Sequence, residues 1–122
     1  MTSAKRALGP VDLKALRAAL EAKRAELLRE HRENLSAGTH AQQPEPDPVD
    51  AATHTAEEDE LLSLVDQERG LLAQIDRALA KMERGTYGVS ELSGDRIPLA
   101  RLRAIPWARF TAEEEEEAEE GE

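Results

Sequence analysis

Residues 61–85 read LLSLVDQERGLLAQIDRALAKMERG. Leu61, Leu64 or Val65, Glu68, Leu71 or Leu72, Ile75, Ala78 or Leu79, and Met82 fall on alternating steps of three and four. That spacing is a heptad seam along one helix. Glu68 is the polar exception. Its expected partner is a basic residue of a facing helix, Lys23 or Arg24, unless it snorkels outward. Gly85 follows Lys81 and Arg84 and stands where a helix C-cap belongs. A stripe this narrow calls for a second helix to cover it.

The covering helix lies upstream. Pro10 suits a first helical turn, and Asp12 complements the helix dipole there. Leu13, Leu16, Leu20, Leu27 and Leu28 then recur at helical spacing, with Arg17, Glu21, Arg24 and Arg29 on the other faces. Pro44, Pro46 and Pro48 exclude helix interior, and Asp50 reads as the N-cap of the second helix. That helix, over roughly 51–84, would be on the order of 50 Å long. A length-matched partner carries helix one through Gly38 and Thr39 to about residue 42. The expected fold is all-α: a long antiparallel two-helix coiled-coil hairpin over 10–84 with its tip at 43–50, after a flexible leader at 1–9. A small C-terminal helical lobe follows at 85–112, then a Glu-rich tail at 113–122.

The lobe holds all the aromatic residues, Tyr87, Trp107 and Phe110. Pro98 is placed to open a short helix over 98–105, which Pro106 stops. A lobe this small needs a metal, disulfides or a docking surface. With these aromatics, the apolar set Val89, Leu92, Ile97, Leu99, Leu102 and Ile105 is the candidate core, and Trp107 is its anchor.

The 122 residues carry 16 basic and 26 acidic side chains, a net charge of −10. Eight of the acids are Glu in the last ten residues, so without the tail the balance is 18 against 16. Such a chain is a poor binder of free DNA, because phosphate neutralisation needs a basic surface. No apolar run is long enough to span a membrane, and no secretory signal follows Lys5 and Arg6. A cytoplasmic protein is expected. The absence of cysteine removes disulfides, thiol catalysis and Cys-based zinc sites. Ser90 has no His and Asp arranged to make it a nucleophile. Glu45, Asp47 and Asp50 read as a solvated turn rather than a divalent-ion site, and His31, His40 and His54 as exposed. The chain is therefore not expected to be an enzyme or to hold a cofactor or metal.

Two segments at fixed separation carry a resemblance. The first is Asp47-Pro48-Val49-Asp50-Ala51-Ala52. The second is Gly85-Thr86-Tyr87-Gly88-Val89, continuing to Ile97-Pro98-Leu99-Ala100-Arg101-Leu102 and Ala104-Ile105-Pro106-Trp107-Ala108. Together they resemble the hairpin tip and the zinc-finger segment of the DksA/TraR family of RNA polymerase regulators, over about residues 12–112. Family members commonly hold zinc with two Cys-x-x-Cys pairs. Those positions fall here on Ser90 and Ser93 and on Thr111 and Glu114, which are poor structural zinc ligands. The chain thus resembles a zinc-free member. Thr111 and Glu114 also spell a capping box that would carry the tail outward as a helix.

The resemblance implies a transcription regulator that binds RNA polymerase by placing its hairpin in the secondary channel. It implies no sequence-specific contact with DNA. Asp50 and Ala52 match the family's tip aspartate and alanine, and Asp47 is a turn residue beside them. Arg96, Arg101, Arg103 and Arg109 would give the lobe a basic face toward an acidic polymerase rim. Well-known members respond to guanosine tetraphosphate through basic residues whose positions fall near Gln74, Ile105 and Glu115. None of these is basic, so no such response is expected. The rival reading is a coiled-coil interaction adaptor that kept the scaffold but not polymerase binding. Retention of the Asp-Pro-x-Asp-x-Ala tip argues against it.

Overall fold

The computed structural model describes residues 8–41 and 55–120. Four helices form: α1 Pro10–Ala41, α2 Ala56–Arg84, α3 Leu99–Ala104 and α4 Ala112–Glu120. No strand forms among the described residues, which contain one isolated antiparallel bridge between Val89 and Arg96. The fold is all-α, a long antiparallel helical hairpin followed by a small helical lobe. No described helix is long and apolar enough to cross a membrane.

Each boundary has a local cause. Pro10 opens α1, and the Gly9 carbonyl accepts the Leu13 N–H at 3.0 Å. The helix continues through Gly38 and Thr39 to Ala41. Helix α2 starts later than the sequence reading placed it. Thr55 caps it, its Oγ1 accepting the Glu58 N–H at 3.1 Å, and the expected cap Asp50 lies outside the described residues. Thr55-Ala56-Glu57-Glu58 spells a capping box that the proline-centred reading passed over. At the other end, Gly85 N–H reaches the Met82 carbonyl at 3.3 Å and Thr86 N–H the Lys81 carbonyl at 2.9 Å. This is a Schellman closure, and Gly85 takes the positive φ of 78° that it requires. Pro98 sits at the N-cap of α3 rather than inside it.

The described chain divides into two compact units, Met1–Lys23 with Gln74–Glu122, and Arg24–Ala73. In the first, Leu16 and Leu20 of α1, Ile75 and Ala78 of α2, and Tyr87, Ile97 and Leu102 of the lobe are buried. Leu20, Ile75 and Leu102 are its largest fully enclosed side chains. In the second, Leu27 and Val65 are buried together with His31 and Glu68. The seam therefore selects Val65 over Leu64, which is exposed.

Three expectations need correction. Leu92 is not a core residue but 71% exposed, because it occupies the turn between Ser90 and Ser93. Trp107 is only half-buried. Tyr87 is the enclosed aromatic, its hydroxyl donating to the Pro106 carbonyl at 2.7 Å, and burial raises its pKa well above the phenol range. His31, expected at the surface, is 9% exposed.

Two glycine substitutions separate local from tertiary constraint. Gly70 lies inside α2, and a Cβ there would meet no atom within 4 Å. Gly70→Ala should raise stability by about 0.5–1 kcal/mol. Gly88 has φ +88°, and a Cβ there would lie 2.9 Å from Leu8 Cδ1. Gly88→Ala should lower stability by about 1–2 kcal/mol from backbone strain alone. Urea denaturation of the two variants beside wild type measures both signs.

Candidate functional site

The tip residues Asp47, Asp50 and Ala52 lie outside the described residues, as do Glu45 and His54. What the structure describes is the second motif, in the lobe. Residues 88–97 form a narrow turn: Ile97 N–H bonds the Gly88 carbonyl at 2.8 Å, and Ser90 N–H the Asp95 carbonyl at 2.7 Å. The chain thereby folds back within a few residues, and Ser90 comes to its centre. Ser90 Oγ accepts the N–H groups of Leu92 at 3.1 Å and Ser93 at 3.3 Å.

Ser90 Oγ then donates to Glu114 Oε1 at 2.6 Å. The same carboxylate oxygen accepts the Thr111 N–H at 2.9 Å, and Thr111 Oγ1 accepts the Glu114 N–H at 3.2 Å. The box therefore closes in both directions and starts α4. Ser90, Ser93, Thr111 and Glu114 meet around one carboxylate, held together by hydrogen bonds. The hydroxyls of Ser90 and Ser93 and the Thr111 amide favour the ionised form and lower the Glu114 pKa to about 2. Among the described residues no group of three or more His, Cys, Asp or Glu is placed to hold a metal.

A second carboxylate ties the lobe to α2. Glu91 accepts Nε and Nη2 of Arg77 at 2.8 and 2.5 Å, and Nζ of Lys81 at 2.5 Å. It also accepts Nε and Nη2 of Arg109 at 3.0 and 3.2 Å. Its own N–H donates to the Arg109 carbonyl at 2.9 Å. Arg77, then Arg109 and Lys81, hold its pKa far below the carboxylate range. Sequence reading missed Glu91, whose signal would have been a lone acid inside the Ser-x-x-Ser turn facing the Arg77/Lys81 pair of α2.

The four lobe arginines are used differently. Arg101 donates to the Phe110 carbonyl at 3.0 Å and pairs with Glu115. Arg109 is held by Glu91 and lies 5.1 Å from the Phe110 ring centroid. Arg96 and Arg103 are exposed, Arg103 only 3.7 Å from Asp12. A cavity of about 150 Å³ lined by Leu8, Leu13, Met82, Gly85, Tyr87 and Arg96 is well below the usual size of a ligand site.

In the Arg24–Ala73 unit, Glu68 pairs with neither Lys23 nor Arg24 as expected, nor does it snorkel. Oε1 meets His31 Nδ1 at 3.1 Å, and Oε2 accepts Asn34 Nδ2 at 2.8 Å. In an antiparallel pair, each step forward along α1 is a step back along α2. Within this unit the register brings His31 and Asn34 to Glu68.

The family model described as "DnaK suppressor protein DksA, N-terminal domain" matches residues 12–82. The chain belongs to the DksA family. Among curated relatives, the RNA polymerase-binding transcription factor DksA of Caulobacter vibrioides is 40% identical over 97 residues, covering 77% of this chain and 66% of that protein. General stress protein 16O of Bacillus subtilis is 49% identical over 53 residues, covering 43% of this chain and 32% of that protein. The chain thus spans less than two thirds of the length of either relative. Among solved structures, transcription factor DksA2 of Pseudomonas aeruginosa has a TM-score of 0.75 at 29% identity, covering 91% of this chain and 85% of that one. The RNA polymerase binding protein and transcriptional regulator Dks of Chlamydia trachomatis has a TM-score of 0.56 at 30% identity, covering 94% and 95%. DksA-family proteins are transcription factors rather than enzymes, and this member has no cysteine to serve as a zinc ligand.

Two stability predictions follow from these carboxylates. Glu114 keeps its charge down to about pH 2, whereas in the unfolded chain it titrates near 4.5. The unfolded chain therefore takes up its proton first, and acid favours unfolding. Glu91 acts in the same direction. Thermal melts should be nearly level from pH 7 to about 5, then lose stability as pH falls through 4.5 toward 2. A midpoint that holds through that range would contradict the two networks. In the seam, Glu68→Leu should cost about 1–3 kcal/mol, because it leaves buried His31 without its partner. Adding His31→Leu should recover much of that loss, as read from the urea midpoint.

Proposed function

We propose that this chain is a zinc-free DksA-type transcription regulator that binds RNA polymerase and inserts its hairpin tip into the secondary channel. The observation that carries the reading is positional. The Asp47-Pro48-Val49-Asp50-Ala51-Ala52 motif falls in the connection between α1 and α2, in a chain of the DksA family. The names of its relatives in Caulobacter and Chlamydia supply the partner.

In this reading Asp50 is the acting carboxylate at the end of a stalk, and Ala52 permits close approach. Asp47 belongs to the turn that presents them. The lobe rests against the polymerase rim, where Arg96 and Arg103 are its exposed cations and Arg101 is committed to Glu115. The protein works in the cytoplasm and changes initiation without reading DNA sequence. No basic group stands at Gln74, Ile105 or Glu115, so guanosine tetraphosphate leaves its action unchanged.

The test is competition with a secondary-channel factor for purified core RNA polymerase, with Asp50→Asn run beside wild type. Mutually exclusive binding is expected. Asp50→Asn should fold and bind but lose its effect on promoter-complex lifetime. Simultaneous binding of both factors, or an unaltered effect of the tip variant, would overturn the reading.

A further inference from the structure

Arg77 and Arg109 come from separate elements, yet one carboxylate organises both. Arg77 projects from α2, and Arg109 from the segment between α3 and α4. Glu91 engages the Nε and Nη2 edge of each guanidinium, so the Nη1 groups are left to other partners. Arg77 remains 52% exposed and Arg109 40%, while Glu91 is 17% exposed. Lys81 is enclosed and braces Glu91 from below. Phe110 lies beside the Arg109 guanidinium. Arg84, seven residues after Arg77 and so on the same side of α2, is exposed as well.

The result is a cationic face on a chain whose net charge is −10. Three basic side chains, Arg77, Lys81 and Arg109, share the one acid Glu91, and Arg84 stands beside them. Neighbouring Glu83 is taken by Arg17. Surface arginines ordinarily lose side-chain entropy when they bind. Here Glu91 has already restrained two of them, with open N–H groups suited to carboxylate oxygens. We propose that Arg77 and Arg109, held by Glu91, form a docking face for an acidic polypeptide segment of RNA polymerase. This rests on the polymerase-binding reading and deepens it: it takes Arg109 from the lobe's expected basic face and adds Arg77 of α2 and the Glu91 brace that orients both. A protein segment suits the face better than nucleic acid. A long polyanion would also be repelled by the rest of a chain whose net charge is −10, whereas a short acidic segment needs only this patch.

The experiment measures affinity of the full chain for core RNA polymerase at several salt concentrations. Arg77→Gln and Arg109→Gln should each weaken binding about tenfold, and the double variant should show a shallower salt dependence. Lys14→Gln, on α1, should bind as wild type. Glu91→Gln is the discriminating variant. It makes the patch more positive but frees both arginines, so a preorganised face predicts weaker binding. A face acting by net charge alone predicts tighter binding, and that result would overturn the proposal. Near-UV circular dichroism of Tyr87 and Trp107 reports whether each variant folds. If Glu91→Gln does not, Arg77→Lys keeps the charge, removes the fork and should weaken binding in the same direction.

A photo-crosslinking residue at position 84 should map to a polymerase segment rich in Asp and Glu. Crosslinks only to segments without acids, or variants that fold and bind as wild type, would overturn the face and leave the tip reading standing. Absence of wild-type binding would overturn both.

Discussion

Each long helix offers an apolar stripe only one or two residues wide, and neither can bury it alone. Leu16, Leu20 and Leu27 on α1 answer Val65, Ile75 and Ala78 on α2. Once that antiparallel pairing is imposed, much else follows. In sequence, the Asp-Pro-x-Asp-x-Ala motif falls in the connection between the two helices. The C-terminal end of α2 must meet the N-terminal end of α1, which supplies the surface that a lobe too small to fold alone needs. Leucines set this pairing, but leucines tolerate a slip along the helix. The buried Glu68 does not, because a shift of one turn would separate it from His31 and Asn34 and leave polar groups enclosed without partners.

The lobe solves a different problem. A zinc ion bound by four thiolates would close it from within. Here Ser90, Ser93, Thr111 and Glu114 make hydrogen bonds of 2.6 to 3.3 Å instead, and Glu91 gathers Arg77, Lys81 and Arg109 at its edge. Tyr87, Ile97 and Leu102 provide the apolar filling. This exchange substitutes several weak, charge-dependent bonds for one strong centre. It makes closure of the lobe depend on ionised carboxylates rather than on a metal, and it uses lobe cations that would otherwise all face solvent.

Much of the architecture was legible in the sequence because helical periodicity, prolines and caps are local. The heptad steps from Leu61 to Met82 announced α2, Gly85 its end and Pro10 the start of α1. The Thr-x-x-Glu box at 111–114 announced α4. The same tetrapeptide, Thr-Ala-Glu-Glu, stands at 55–58 and starts α2, but a proline-rich segment upstream drew the boundary to Asp50. Leu92 and Trp107 were misplaced for another reason. Apolar character says that a side chain gains from burial, not that the turn carrying it faces inward.

By itself, then, the sequence determined the helices, their pairing and the family motifs, since each depends on residue type at short spacing. Only the tertiary structure decided which charges meet. Glu68 went to His31 and Asn34, Glu91 to Arg77, Lys81 and Arg109, and Arg101 to Glu115. An ion pair between residues far apart in the chain leaves no periodic trace. Its members are chosen by helix register and by the path of the chain through the lobe, which exist only once the fold has formed.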